Sequence, residues 1–550
     1  MRKLNLALLL LFLLTALLRF YRLGDIPVGF HRDEAFLGYN AFSLLKTGRD
    51  MTGNVLPLHL ESFLYSPAGY SYFSIPFIAL FDLSAFSVRF ASALFGSLTV
   101  IAFFFLVRIT LENTKSKIPL IAVSFLAISP WHVNLSRTAT ENTLVLFFII
   151  VGVLLFYLWK KRERSAFLFF SFASFGLTMF LYQASRAFLP LFVPFLVWVL
   201  ISKTQLKKNI ISIAFLYIFF ILFPTIIILL SYNLSLRMRT VSIFAGEQTQ
   251  LVLDEQIRGD GVSSASLVLT KLFHNKAVGY SEQFLENYFN HFTYNYLFAD
   301  YGLPGRYKVP LVGLLYIFQL PFLMIGLTLT MIEKKRIGMF FIGWLVLVPI
   351  GSAFTFDDVP NLQRTLLMVP CFSFFSSAGL VWFYSFLKRH KRQTLFCVIF
   401  GIFVVWNVTY YLHQYYVHFN SYRPWYRQQG YAQLVSKVDI LLPKYKKIVI
   451  TNHESAPTIF FLFYKKYDPV MFQKQIENKA LDNYDRINFD KYTFSQEECP
   501  LRQAPDKKII GEKGVLYVDG SGCKLPTGAY LVDTVYRLDN SVAFQIMSLN

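Results

Sequence analysis

The sequence predicts a polytopic α-helical membrane protein of about eleven transmembrane helices, followed by a small C-terminal extracytoplasmic domain of α/β or α+β type. Three observations lead there. The 550 residues are 55% hydrophobic and 16% charged, with a mean hydropathy of +0.45. Soluble domains carry about 25% charged residues, so a single water-soluble domain is excluded, as are disorder, collagen and a small disulfide scaffold. Apolar runs of spanning length recur up to residue 412, and the composition then becomes that of an ordinary soluble domain. The net charge of +20, from 53 Lys and Arg against 33 Asp and Glu, is concentrated in alternate short connections.

A run of about 17 or more apolar residues can cross the hydrocarbon core as a helix. The first, Leu4 to Phe20, follows Arg2 and Lys3. Arg19-Phe20-Tyr21-Arg22 stands where a signal peptide would carry a small-x-small cleavage site, so this is read as an uncleaved span with a cytoplasmic N-terminus. Further spans are read at 86–107, 118–130, 142–159, 165–182, 187–202, 210–231, 308–332, 337–355, 365–387 and 394–412. Alternate connections are basic: Arg108/Lys115/Lys117, Lys160-Lys161-Arg162/Arg164, Lys203/Lys207/Lys208, Lys334-Lys335-Arg336 and Lys388-Arg389/Lys391-Arg392. With Arg2 and Lys3 they hold 19 basic residues against Glu112, Glu163 and Glu333, whereas loops 131–141, 183–186 and 356–364 hold three arginines. This positive-inside alternation predicts a multi-pass inner- or plasma-membrane protein with its C-terminus outside. The basic balance is then mostly an orientation signal and makes no case for nucleic acid. The apolar stretch 66–82 would invert every later loop if it crossed; its two prolines, two tyrosines and Asp82 suit an interfacial or re-entrant helix.

The chain is thus divided into a transmembrane domain over 1–412, with outer loops 21–85 and 232–307, and an extracytoplasmic domain over 413–550. In the latter, 447–451, 514–519 and 529–533 read as strands and 456–467 as a helix. His453-Glu454 reads as a turn before that helix rather than as a catalytic pair. Cys371 and Cys397 lie inside spans and read as small apolar core residues. Cys499 and Cys523 lie in the tail, where a disulfide is one of two open outcomes. The 60 Phe and 32 Tyr mostly face lipid, pack between helices or form interfacial belts. Tyr65, Tyr70 and Tyr182 are placed where a sugar or isoprenoid could stack.

No P-loop, GxGxxG, HExxH or CxxC zinc pattern occurs. The notable feature is the first outer loop, Gly29-Phe-His31-Arg32-Asp33-Glu34-Ala-Phe-Leu-Gly38-Tyr39-Asn40. Two adjacent carboxylates at a helix start cannot point the same way, so their roles should differ. One could take a proton from an acceptor hydroxyl; the other could bind a cation or cap the helix. The structural alternative is an Asp N-cap with a dipole-paired Glu, since 35–46 reads as an amphipathic helix ended by Gly48.

The string from Asp33-Glu34 through Gly48 to Leu56-Pro57 resembles the first outer-loop signature of the GT-C glycosyltransferases, in the protein O-mannosyltransferase and aminoarabinose-transferase (PMT/ArnT-like) branch. The likeness continues at Tyr65-Ser66-Pro67-Ala-Gly-Tyr70, at Phe86-Ser-Val-Arg89, at Ser129-Pro130-Trp-His132-Val-Asn-Leu-Ser136-Arg137 with Glu141, and at Asn361-Leu-Gln-Arg364. It is convincing over residues 1–140 and extends beyond them in topology. The resemblance implies a sugar moved from a polyprenyl-phosphate carrier in the membrane lipid to an acceptor glycan, lipid or protein outside, usually with inversion. Asp33 matches the position of the base, with Glu34 as its catalytic neighbour. Arg137 and Arg364 are candidates to hold the donor phosphate, against the plainer reading of interface-snorkelling arginines. Glu141, one turn from Arg137, could pair with it or line the acceptor site. His31, Arg32 and Tyr70 are weaker candidates for substrate contact. No cofactor is certain; some members of the family use a divalent cation, for which Asp33 and Glu34 could supply oxygens. A transporter or flippase of lipid-linked sugars is the main alternative, and a polymerase or ligase of the same superfamily a third reading. The first is disfavoured because the acidic residues cluster outside the spans.

Overall fold

The computed structural model describes residues 2–62, 66–111, 116–299, 302–333, 335–477, 483–506 and 508–549, with side chains from residue 6. Tyr65, Glu112, Lys115 and Lys334 lie outside the described residues. The chain groups into two compact units. One gathers Met1–Arg19, Leu94–Ser136 and Glu141–Leu412; the other gathers Phe20–Ala93, Arg137–Thr140 and His413–Asn550. The first outer segment therefore falls with the C-terminal segment.

The helices begin with α1 (Arg2–Phe20), α2 (Arg32–Thr47), α3 (Gly69–Phe81), α4 (Ala85–Thr110), α5 (Ile118–Ile128), α6 (Pro130–Ser136), α7 (Glu141–Arg162), α8 (Ser165–Thr178) and α9 (Ala184–Leu200). Among the described residues six helices are long and apolar enough to cross a membrane: α4, α7, Lys203–Leu230, Arg336–Ala353, Leu366–Arg389 and Gln393–Ser421. The pair α5 and α6, bent by 55°, makes a seventh if it counts as one broken span. The bend falls at Ser129, whose ψ of 122° leaves the helical region because Pro130 follows. The other predicted spans meet apolar helices of 10–17 residues, namely Leu6–Phe20, α8, α9 and Gln319–Glu333.

The largest departure is at 308–332, where the helix begins only at Gln319. Leu311 has φ 58°, and Gly313 packs so closely that a Cβ would lie 2.5 Å from the backbone of Phe298. The first unit is held by interdigitated aromatic side chains, such as Phe341 stacked on Phe374 at 4.1 Å and Trp344 at 5.2 Å from Phe192. Gly326 and Gly379 let Gln319–Glu333 and Leu366–Arg389 approach so that a Cβ at either would collide with a carbonyl of the other helix. The long outer segment carries helices Tyr232–Val241, Gln248–Val262, Leu267–Phe273 and Lys276–Asn290.

In the second unit, α3 has 13 residues and rises about 20 Å, short of the roughly 30 Å hydrocarbon core. The C-terminal segment forms a mixed five-stranded sheet of β1 (Lys447–Thr451), β2 (Tyr492–Ser495), β3 (Val515–Gly520), β4 (Ala529–Tyr536) and β5 (Val542–Leu549), in the order β2-β1-β3-β5-β4. β1 is parallel to β2 and β3; β5 is antiparallel to β3 and β4. β3 is buried along its whole length, as a central strand should be. Cys499 and Cys523 form a disulfide over a core of Leu501, Val515, Tyr517 and Met547. The predicted helix of the tail is Pro457–Tyr464, preceded by a turn holding His453 and Glu454, whose carboxylate pairs with Arg537 at 2.6 Å.

Candidate functional site

Helix α2 is fixed at both ends. Gly48 adopts φ 68° and its N–H bonds the carbonyl of Leu44, a left-handed cap that a Cβ would strain. The N-cap is His31, with Nδ1 accepting from the amide of Asp33 at 3.2 Å and Glu34 Oε2 accepting from the amide of His31 at 3.3 Å. This is a capping box built on histidine. The expected Asp cap is therefore not formed, because His31 already occupies that position.

The two carboxylates diverge. Glu34 is 4% exposed and meets Arg89, itself 1% exposed, in a bidentate pair at 3.0 and 3.0 Å. Oε1 also accepts from the amide of Ala139 at 2.8 Å, so both oxygens carry two donors each. Arg89 spends its remaining N–H groups on the carbonyls of Gly29 (2.7 Å), Pro27 (3.0 Å) and Leu23 (3.3 Å). A carboxylate offers about four lone-pair sites and a guanidinium five donors, so both groups are saturated. Asp33, one residue earlier, has a side chain 51% exposed, lying 3.3 Å from His31 Nδ1 and 3.9 Å from Arg32 Nε. Arg32 reaches Asp485 at 3.4 Å.

Two further predicted residues belong to this unit. Tyr70 is fully buried, its hydroxyl donating to the carbonyl of Val88 at 2.8 Å beside Ser92 Oγ at 3.0 Å. Arg137 is fully buried as well. Its Nη2 donates to the carbonyls of Tyr21 (2.7 Å) and Ile26 (3.0 Å), its Nε to the hydroxyl of Tyr415 (3.2 Å), and its guanidinium lies 5.4 Å from the rings of Tyr415 and Tyr416.

The other unit holds Glu141, Tyr182 and Arg364. Glu141 opens α7 in the first turn, where a carboxylate favours the helix dipole. Trp131 Nε1 donates to the carbonyl of Leu362 at 2.7 Å, and Asn142 donates to the carbonyl of Gln363, so the second and the late outer-loop motifs meet. Arg364 is held by Asp357 Oδ1 (2.9 Å), the carbonyl of Asp357 (2.9 Å) and Thr355 Oγ1 (2.5 Å). His291, which the sequence reading did not single out, fixes the same loop: its Nε2 accepts from the amide of Asn361 at 3.2 Å while Nδ1 meets the carbonyl of Asn287 at 2.8 Å. Burial pushes that imidazole down to about 4, so it stays neutral and keeps the acceptor on Nε2.

Arg364 lines a cavity of about 520 Å³ together with Tyr182, Arg186, Arg237 and Arg239. Its other walls are largely apolar, including Ile228, Leu229, Leu234, Met238, Phe244 and Phe354, and none of the lining residues is Asp or Glu. Arg186, Arg237 and Arg239 were not singled out as site candidates from the sequence. The pattern that could have flagged two of them is Arg237-Met-Arg239, immediately after a span. Among the described residues no three His, Cys, Asp or Glu side chains converge as a metal site. The Asp33–Glu34 pair does not suit a divalent cation either, because the Arg89 fork fills Glu34 and leaves one carboxylate.

Residues 66–228 match the family model described as dolichyl-phosphate-mannose-protein mannosyltransferase. No curated protein matches the sequence. Among solved structures, the apo form of ArnT from Cupriavidus metallidurans aligns at TM-score 0.54 and 10% identity over 98% of each chain. The same protein bound to undecaprenyl phosphate aligns at 0.53 and 11% identity, over 98% of this chain and 97% of that one. The oligosaccharyltransferase AglB from Archaeoglobus fulgidus, in complex with an inhibitory peptide and a dolichol-phosphate, aligns at 0.49 and 12% identity over 83% of this chain and 63% of that one. The molecule thus shares the fold of ArnT, and residues 66–228 are similar to the mannosyltransferase family.

Proposed function

We propose that this protein transfers a sugar from a polyprenyl-phosphate carrier to an acceptor on the extracytoplasmic side of the membrane, inverting the anomeric centre. The observation that carries the reading is the cavity whose apolar walls hold four arginines and no carboxylate. A polyprenyl phosphate is an apolar chain ending in a phosphate, and such a cavity complements both halves. As the bond from the sugar to the phosphate breaks, negative charge grows on the leaving oxygen, and guanidinium forks stabilise it there. Inversion requires the acceptor oxygen to attack from the face opposite the leaving phosphate and to give up its proton to a base; on its own chemistry Asp33, the half-exposed member of the Asp33–Glu34 pair, is our candidate for that base. The products are the glycosylated acceptor and the free polyprenyl phosphate.

Glu34 and Arg137 act in this reading as positioning residues. The first locks the turn that carries Asp33, and the second ties the carbonyls of Tyr21 and Ile26. The undecaprenyl phosphate of the ArnT complex and the dolichyl-phosphate-mannose of the family description supply the donor class. The positive-inside alternation and the Cys499–Cys523 disulfide support an outward C-terminal segment.

The test is transfer of radiolabelled sugar from undecaprenyl-phosphate mannose, glucose or aminoarabinose to membrane acceptors by the full chain in vesicles. Wild type should transfer from one of these donors. Asp33→Asn should lower kcat by about 10²–10⁴-fold with little change in donor KM. Full activity in Asp33→Asn would remove Asp33 from the base role. Donor translocation without any transfer would establish the transporter reading instead.

A further inference from the structure

Asp33 sits on the first turn of α2, yet the segment leading into that turn is held by residues almost four hundred positions away. The carbonyl of Val28 accepts from Arg427 Nε at 3.0 Å and from Gln429 Nε2 at 3.3 Å, and the amide of Val28 donates to Asn420 Oδ1 at 2.9 Å. Gly29, at φ 91°, lies so close that a Cβ would stand 2.6 Å from the carbonyl oxygen of Arg427. The last contact is on α2 itself, where the amide of Arg32 donates to Gln428 Oε1 at 2.7 Å. That amide is one of the helix's orphan donors, adjacent in sequence to Asp33.

Gln428 is built for this contact. An amide N–H can only donate, so the oxygen of the Gln428 amide faces Arg32 and its nitrogen donates outward to Ser455 Oγ at 2.5 Å. Its backbone adopts φ 53°, a left-handed conformation that is unfavourable for a non-glycine residue and persists only where surrounding contacts impose it.

We propose that Gln428 is a positioning residue for Asp33. The segment Asn420–Gln429 is a clasp on Val28–Arg32, and Gln428 is the member that fixes the first turn of α2 and hence the place from which the carboxylate acts. The proposal rests on the assignment of Asp33 as the base. It makes the C-terminal segment a working part of the catalytic apparatus rather than an appendage.

Two substitutions separate positioning from packing. Gln428→Leu keeps the volume and removes the acceptor, leaving the Arg32 amide unpartnered by this side chain. Gln428→Glu restores an acceptor and adds a negative charge beside the turn, where Asp33 already faces His31 and Arg32, the latter bridged to Asp485. The first readout uses no substrate: hydrogen exchange of the full chain, followed in a peptide covering residues 31–36. The second is transfer from the undecaprenyl-phosphate sugars above, with kcat, KM and the pH profile.

For Gln428→Leu, exchange should accelerate about tenfold and kcat should fall about tenfold with donor KM within about twofold. For Gln428→Glu, exchange should return to the wild-type rate, kcat should recover to within about threefold, and the acidic limb of the kcat profile should move up by roughly half a pH unit. Unchanged exchange in Gln428→Leu would overturn the proposal. So would a kcat loss that Gln428→Glu fails to rescue. If no wild-type transfer occurs from any donor, the glycosyltransferase reading falls, and the exchange measurement alone then decides whether the clasp holds the turn.

Discussion

Substituting Glu34 by Gln separates the two roles that adjacent carboxylates can play. The side chain keeps its shape and one oxygen, but the buried pair with Arg89 loses its negative charge, and two of the four accepting positions give way to an N–H₂ pointing at a guanidinium N–H and a backbone amide. Arg89, 1% exposed, is left with neutral partners to balance a full charge: the carbonyls of Leu23, Pro27 and Gly29, one amide oxygen and the ring of Phe30. Removing one partner of a buried ion pair costs about 3–5 kcal/mol, because the remaining charge is uncompensated where water cannot reach it. At about 2–4 °C per kcal/mol for a large domain, the transition should drop by roughly 10 °C. The assay is thermal unfolding of the purified full chain in detergent at one scan rate, since large membrane proteins unfold irreversibly. Asp33→Asn, at a half-exposed position, should leave the transition within about 1 °C of wild type. A Glu34→Gln protein with wild-type thermal stability and abolished transfer would refute the reasoning, because the carboxylate would then act on substrate and not on Arg89.

Two further outcomes follow from the same coordinates. Replacing Arg237 and Arg239 together by Ala should raise the KM for the polyprenyl-phosphate donor by about tenfold or more, while leaving the thermal transition close to wild type, as each is on the wall of the cavity and neither is deeply buried. An unchanged donor KM would place the phosphate elsewhere. Asp519, buried on β3 and accepting from the amide of Leu501 at 3.3 and 3.2 Å, has its carboxyl pushed up to about 7 by burial. Its folded pKa exceeds the unfolded value of about 3.9, so its contribution to stability is whole below about pH 4 and is lost as the pH rises through about 7. Wild type should therefore lose on the order of 2–4 kcal/mol between pH 5 and 8, and Asp519→Asn, whose Oδ1 can still accept from Leu501, should flatten that slope. A wild-type transition that does not fall over this range would show that the carboxyl is ionised throughout.

Much of the first unit was legible because its signals are local. Apolar runs and alternating basic connections need no knowledge of neighbours, and six of the predicted spans are helices of spanning length. Local chemistry also marked the C-terminal end of α2, where Gly48 closes the helix. The helical turns predicted over 308–318 are not formed, for the opposite reason. Their composition suits a span, but close packing on the backbone of Phe298 holds them in another conformation.

The candidate site divides in the same way. By itself the sequence determined that this is a membrane protein, that Asp33 and Glu34 stand just beyond the first span, and that arginines occur in the weakly basic connections that alternate with the lysine-rich ones. Only the tertiary structure decided what each of those groups touches. In sequence, Arg137 looks the same whether its fork meets a phosphate or the carbonyls of Tyr21 and Ile26, and Glu34 the same whether it is free or saturated. The partners that distinguish these cases are Arg89 for Glu34 and Gln428 for the Arg32 amide, with four arginines around one cavity. They come from segments up to 396 positions apart, as in the Arg32–Gln428 contact. Helical and strand periodicity reaches only a few residues along the chain, so pairings of that range are fixed by packing and not by pattern.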